Sequence, residues 1–425
     1  MRNLNAHGRT AILAMTLVVL LAGCSRDPNV RKQKYLESGN RHFQEAKYRE
    51  AAIQYLNAIQ VDSRFAQAHY QLAQCYVRLE LWNAAYNELL RTVELAPKNW
   101  KAHLDLGNMA LAAGEYKTVQ EHARLVLAEQ PENVEAYILL ANADARLGDS
   151  ATALKEMEKA LQLAPQRAET YLQMARVQGL AGRAKPAEES IKKALALDPQ
   201  SVDTALTAGS FYQAQRRWPE AEELFRKAVA LRPEEPKAWK SLATVFLAQH
   251  KQAEAEQVLA TAKKTLQNNP QGYRLLGDLY VSLGDMDRAL AEFESLYREH
   301  SGELRLKKNY IQLLIAHNRL DAASKLNDEI LKANAKDVDG LIRRGQILNQ
   351  RGFAEEALPS LNTALKSEPD SASAHYHLGV AFSLLGNGER AEKEWAEALR
   401  LRPGMGEAQQ ALAQVAFRKG DFGRV

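Results

Sequence analysis

The feature that most constrains this chain is a period of 34 residues that runs almost its whole length. With Lys32 as the first slot, the register restarts at Ala66, Trp100, Val134, Ala168, Val202, Pro236, Pro270, Leu304, Val338, Ala372 and Gly406. No insertion or deletion interrupts it. An unbroken period of this length means one supersecondary unit, copied and stacked.

Residue chemistry at fixed slots says what the unit is. The eighth slot is Gly or Ala throughout, from Gly39 and Ala73 to Gly379 and Ala413, except at Ile311. The twentieth slot is Ala from Ala51 to Ala391, except at Val119. Small residues at two fixed places let two helices approach closely. The twenty-fourth slot is mostly large, as in Tyr55, Leu89, Met157, Ile191, Phe225, Phe293 and Trp395. Large side chains there fill the space the small ones leave. Pro97, Pro131, Pro165, Pro199, Pro233, Pro369 and Pro403 share the thirty-second slot, where proline ends a helix. Gly114, Gly148, Gly182, Gly284, Gly352 and Gly386 mark a mid-unit turn, suited to the left-handed residue that closes a helix. Alternation with period two is scarce, so the chain reads as all-α.

These slots resemble the tetratricopeptide repeat. The best matched unit carries His375, Leu378, Gly379, Gly386, Ala391, Trp395, Ala398 and Pro403. The resemblance implies two antiparallel helices per unit, stacked as a right-handed superhelical solenoid over residues 32–405. One hairpin cannot bury its own apolar stripe, so neighbours must cover it. Residues 406–425 read as a C-terminal capping helix or as a truncated repeat. Residues 236–337 depart most from the pattern, through Ile311, Leu296 and Ile330 at close crossings, and a change of curvature is expected there.

The N-terminus is an address. Arg2 and Arg9 precede the apolar run Ala11–Ala22, and Ser25-Arg26-Asp27-Pro28 follows it. That run is shorter than the about 20 residues a membrane-spanning helix needs and suits a signal-peptide core. Leu21-Ala22-Gly23-Cys24 resembles the bacterial lipobox. The resemblance implies cleavage after residue 23, lipid on the Cys24 sulfur and acylation of the new amine, with 24–31 as a tether. Several acyl chains, at about 0.8 kcal/mol per buried CH₂, make a durable anchor. The same resemblance implies that Ser25, in place of aspartate, favours the outer membrane, facing the periplasm.

The formal net charge of +4 on 425 residues argues against a nucleic-acid partner. No phosphate-binding glycine loop or HExxH motif occurs, so neither an enzyme nor a cofactor is expected. His375 and His377 are two apart on a helix and point in different directions; His375 reads as a packing residue. Cys75 reads as a buried thiol, and Trp82, Trp100, Trp218, Trp239 and Trp395 as packing residues of repeat cores or turns.

In the family, first-helix side chains line the inner groove. The ninth slot supplies a polar row, Asn40, Gln74, Asn108 and Asn142, whose amides suit an extended peptide backbone. Second slots give Glu135, Glu169 and Asp203, then the lining turns basic at Lys237, Lys240, Arg274, Arg305 and Lys308. The expected partners are other envelope proteins, the bilayer through Cys24, and an acidic peptide or anionic polysaccharide at the basic stretch. The first forty residues after the leader resemble tetratricopeptide lipoproteins of exopolysaccharide and exosortase (PEP-CTERM-type) systems. That implies a membrane-anchored scaffold for polysaccharide or surface-protein export. A direct polysaccharide-binding export subunit, or an adaptor for pilus assembly or cell-wall enzymes, stays open at this point.

Overall fold

The structure is a computed structural model and describes residues 27–419 of the chain. The leader, Leu21, Ala22, Gly23 and the acyl acceptor Cys24 lie outside the described residues, as do residues 420–425. Every regular element among the described residues is an α-helix. They fall into two compact units, one ending at Ala214 and the other starting at Gln215. The unbroken period gives no sign of that boundary.

In the first unit the helices run Pro28–Gln44, Tyr48–Val61, Ala66–Arg78, Trp82–Leu95, Trp100–Ala113, Tyr116–Glu129, Val134–Arg146, Ser150–Leu163, Ala168–Leu180, Ala184–Leu197 and Val202–Ala214. In the second they run Trp218–Leu231, Pro236–Ala248, Gln252–Thr265, Pro270–Tyr273, Leu275–Ser282, Met286–Glu299, Leu304–Ala316, Leu320–Ala333, Val338–Gln350, Ala354–Ser367, Ala372–Leu384, Gly388–Leu401 and Gly406–Lys419. After the opening helix, which starts four residues early at Pro28, first helices start at the slot that restarts the period, and second helices start sixteen residues after that slot, at Trp82, Tyr116 or Ser150. Within each unit, each helix packs on the next. First helices of neighbouring repeats also touch, as Trp100–Ala113 does Val134–Arg146. This is solenoid packing, with a core made of successive small clusters such as Ala73, Leu89, Ala102 and Leu106.

Local chemistry sets the helix ends. Asn99, Asn133, Asp337 and Ser371 precede first helices, and each side chain accepts the backbone N–H three residues on. Asp149, Asp285 and Asn387 do the same for second helices. Each such cap is worth about 1 kcal/mol.

The small and large slots meet as expected, and most are matched in pairs, although Gly345 faces the aliphatic Leu361, whose Cγ would lie 2.5 Å from a Cβ built there. A Cβ built on Gly379 would lie 2.5 Å from Trp395 Nε1, and one on Gly277 would lie 2.7 Å from Phe293. Gly39 faces Tyr55 in the same way. Where the eighth slot is Ala73, Ala141, Ala175 or Ala243, the partner is aliphatic: Leu89, Met157, Ile191 or Leu259. Ile311 inverts the pair. Its repeat carries Asn327 in the large slot, buried, with Nδ2 donating to Gly340 O at 2.8 Å. The irregular region also contains a break, because the first helix there stops at Tyr273 and resumes at Leu275.

The mid-unit turn has one backbone conformation whatever residue occupies it. The six turn glycines have positive φ, and so do Ala46, Glu80, Arg216, His250 and Asn318 at the same slot. A side chain in that region costs about 1 kcal/mol or more. Replacing Glu80 (φ 59) by glycine is therefore expected to stabilise the first unit by about 0.5–1 kcal/mol, once the extra chain entropy of glycine is counted. Urea denaturation would measure it, and a loss of stability would show that the Glu80 side chain matters in another way.

A further tie recurs at the fourth slot. The rings of His69, His103, Tyr171, Trp239 and His375 each reach the carbonyl six residues earlier, in the turn between repeats, at 2.7–3.2 Å. His375 thus does more than fill space, because its Nδ1 also lies 2.6 Å from Glu394. No helix among the described residues is long and apolar enough to cross a membrane.

Candidate functional site

The surfaces able to hold a partner lie along the first helices. The polar row expected there is present but partly spent on the protein itself. Asn40 Oδ1 accepts from the Tyr55 hydroxyl at 2.8 Å. Gln74 Nε2 donates to Asp105 of the next repeat at 2.8 Å, and the Tyr70 hydroxyl donates to the same oxygen at 3.0 Å. Burial raises the Asp105 pKa, and these two donors work against that rise. Asn142 is buried and donates to Ile138 O at 2.9 Å. Asn108 is exposed and donates to Leu104 O at 3.1 Å. Gln74 thus joins its repeat to the next, and Asn108 is the most accessible member of the row.

The basic positions divide in two. Lys237, Lys240 and Arg305 are exposed. Lys308 is gripped by Asp337 and Asp339 of the following turn and helix, each at 2.9 Å. Arg274 pairs with Asp278 at 3.3 Å, and Arg343 lies 3.9 Å from Asp339. Burial is the first cause of the lowered Arg343 pKa, and it outweighs those carboxylates. Acids from neighbouring positions therefore break the basic stretch into separate cations. Further back, Glu135 pairs with Arg167 at 2.5 Å, so the acidic second slots are partly offset too.

Two grooves stand out. In the second unit, a cavity of about 850 Å³ is lined by Gln312, Arg343, Gln346, Tyr376, His377 and Met405, among others. Burial pushes the His377 imidazole down to about 4, so it is neutral near pH 7. His375 and His377, two apart in sequence, sit in different surroundings, one in the turn tie and the other against this cavity. In the first unit, a cavity of about 510 Å³ is lined by Val77, Trp82, Tyr86, Met109 and Glu115, with Gln74 and Asp105. Beside it lies a second compartment of about 510 Å³ with Leu111, Tyr116, Asn142, Arg146 and Arg176. Asn108, Ala112 and Ala113 line both, so the two adjoin along the helix Trp100–Ala113.

Trp82 corrects the sequence reading. Trp239 and Trp395 are buried packing residues, but Trp82 is 54% exposed and faces the groove. A tryptophan opening the second helix looks the same in sequence whether it tucks under or stands out. The fate of Cys75 follows expectation: it is buried, and burial pushes its thiol up to about 12, far from a reactive thiolate. The arrangement suits binding through apolar compartments, amides and isolated cations.

Comparisons with known proteins bear on the repeat. Family models described as tetratricopeptide repeat match residues 134–167, 168–201, 212–279, 280–344 and 342–405. A DnaJ homolog subfamily C member 7 homolog of Schizosaccharomyces pombe is 26% identical over 135 residues, covering 29% of this chain and 28% of that protein. A probable UDP-N-acetylglucosamine–peptide N-acetylglucosaminyltransferase SPINDLY of Solanum lycopersicum is 26% identical over 106 residues, covering 25% of this chain and 11% of that protein. The chain thus spans a minor part of these relatives. A tetratricopeptide protein of Thermus thermophilus, of known crystal structure, is 24% identical with a TM-score of 0.40, covering 43% of this chain and 99% of that one. With the 34-residue unit, the paired helices and the matched repeats in hand, the chain belongs to the tetratricopeptide repeat family.

Proposed function

We propose that this protein is a lipid-anchored scaffold of the bacterial cell envelope, holding partner proteins in its first-helix grooves in support of polysaccharide or surface-protein export. The observation that carries the binding half is the pair of open grooves lined by amides, apolar side chains and isolated cations. Such a lining offers contact surface and hydrogen bonds to a polypeptide. The anchoring half rests on Leu21-Ala22-Gly23-Cys24 behind the apolar run Ala11–Ala22. Ser25 favours the outer membrane, with the repeats facing the periplasm. Tethering at Cys24 would confine captured proteins to the membrane surface and raise their mutual effective concentration, so no chemistry by this chain is needed.

The test is metabolic labelling with an alkyne-bearing palmitate, joined to crosslinking pull-down from intact cells. Wild type is expected to carry label, pellet with membranes and retrieve envelope proteins. Cys24→Ser should lose the label and move to the soluble fraction, because the acyl chains supply nearly all the membrane affinity. An unlabelled wild-type chain would refute the anchor. Labelled chain that captures no protein would refute the scaffold.

A further inference from the structure

Resting on the scaffold reading, we propose that the groove running from Trp82 to Arg176 in the first unit binds one kind of partner segment. It is an extended stretch of polypeptide with a large apolar side chain, followed three to six residues away by acidic ones.

The groove has two chemically different halves. At one end Val77, Trp82, Tyr86 and Met109 form an apolar compartment of about 510 Å³. Trp82 is 54% exposed there. Leaving so large an apolar surface in water is unfavourable, and covering it with a partner side chain recovers about 25 cal/mol per Å². One Asp105 oxygen at this end already accepts from Tyr70 and Gln74.

At the other end, Arg146 and Arg176 stand on neighbouring first helices, both exposed and neither paired with a carboxylate. Two unpaired guanidinium groups on one wall call for an anion, and a carboxylate fits their fork geometry. Glu115 sits at the apolar end. It repels an acidic residue placed there, so the charge gradient fixes which end of the motif goes where.

Between the halves, the small Ala112 and Ala113 and the amide of Asn108 are shared by both compartments. Asn108 spends an amide N–H on Leu104 O, which leaves its Oδ1 to accept a backbone N–H from a passing chain. First helices of adjacent repeats pack about 8–10 Å apart. One to two repeats separate Met109 from Arg146 and Arg176, and extended chain covers about 3.3 Å per residue. That sets the spacing at about three to six residues.

The experiment is selection of a displayed random 12-residue peptide library on the purified full chain, followed by titration of the enriched peptides. Enrichment of Phe, Trp, Leu or Met with Asp or Glu at the stated spacing is expected. Arg146→Glu/Arg176→Glu should weaken those peptides about tenfold or more and turn the preference toward Lys or Arg. Trp82→Ala should remove the apolar preference while leaving the acidic one. All three side chains are exposed, so the variants should keep the wild-type circular dichroism spectrum and melting curve. Enriched peptides whose affinity ignores all three substitutions would overturn this site and leave the scaffold reading intact. So would the absence of any enriched motif when crosslinking still retrieves a protein from cells. Capture of alginate or of anionic phosphatidylglycerol vesicles, lost in the arginine variant and with no peptide enriched, would replace the polypeptide by a polysaccharide or a membrane surface. Failure of both selection and crosslinking would remove this proposal and the scaffold together.

Discussion

Alanine in place of Gly379 is expected to destabilise the second unit by about 3 kcal/mol, and leucine in place of Trp395 to restore much of that loss. The new methyl would lie 2.5 Å from Trp395 Nε1 and 2.6 Å from Cδ1, closer than two such atoms can come. The indole cannot swing away freely. It is buried, and its Nε1 donates to Tyr376 O at 3.1 Å. Overpacking of this kind costs about 1–3 kcal/mol, and breaking the indole bond leaves buried groups unsatisfied for about 1–3 kcal/mol more. The Gly379→Ala/Trp395→Leu pair reproduces the combination already present at Ala243 and Leu259, both buried. A double-mutant cycle in urea should therefore show a coupling of about 2 kcal/mol in the favourable direction. Hydrogen exchange should place the loosening in the helices Ala372–Leu384 and Gly388–Leu401, since repeat stability is carried by near neighbours. Simple addition of the two single losses would mean that the slots do not act as a matched pair.

The second large effect concerns Asp144, in the helix Val134–Arg146. It is buried; Gln120 donates to its Oδ1, and Oδ2 has no hydrogen-bond partner. Burial raises its pKa above the ordinary carboxylate value, the Gln120 bond and Arg124 oppose the rise, and Asp149 adds to it. Glu156 is raised as well, first by burial and then by the Asp144 charge. The sign follows directly. Below the unfolded pKa, near 4, the carboxyl is neutral in both states and costs nothing. As pH rises, the unfolded chain ionises first, so stability falls until the folded carboxyl also ionises. Asp144→Asn removes this loss. It is expected to stabilise the first unit by about 1–2 kcal/mol near pH 7, with the gain vanishing toward pH 4. Urea midpoints across that range measure it. A variant that is weaker at pH 7 than at pH 4, relative to wild type, would show that Arg124 holds the carboxylate charged in the fold.

The helices and their starts were legible because each depends on residues close together in sequence. Trp100 follows the capping Asn99, Pro131 stops the preceding helix, and Gly148 closes the turn. The left-handed turn residues Ala46 and Glu80 were not legible, because the hairpin imposes that conformation on whatever residue falls there. The tie from His69 and His375 to the turn carbonyl was missed for a related reason. A ring at the fourth slot packs, but that it also donates is visible only when the preceding turn is in place. The candidate groove was half legible. The ninth-slot row sits on the first helices as expected, but Asn142 is buried, Gln74 is bonded to Asp105, and Trp82, which reads as a packing residue in sequence, is exposed.

By itself, the sequence determined the repeating hairpin, the order of its helices and the stacking that follows. A 34-residue pattern of small, large and helix-ending residues admits no other way to bury its apolar stripes. Tertiary structure alone decided which side chains are left for a partner. Lys308 is taken by acids 29 and 31 residues away, whereas Arg146 and Arg176 are not taken at all. Whether a charge is spent depends on what the neighbouring repeat brings within about 3 Å of it, and no spacing along one helix encodes that.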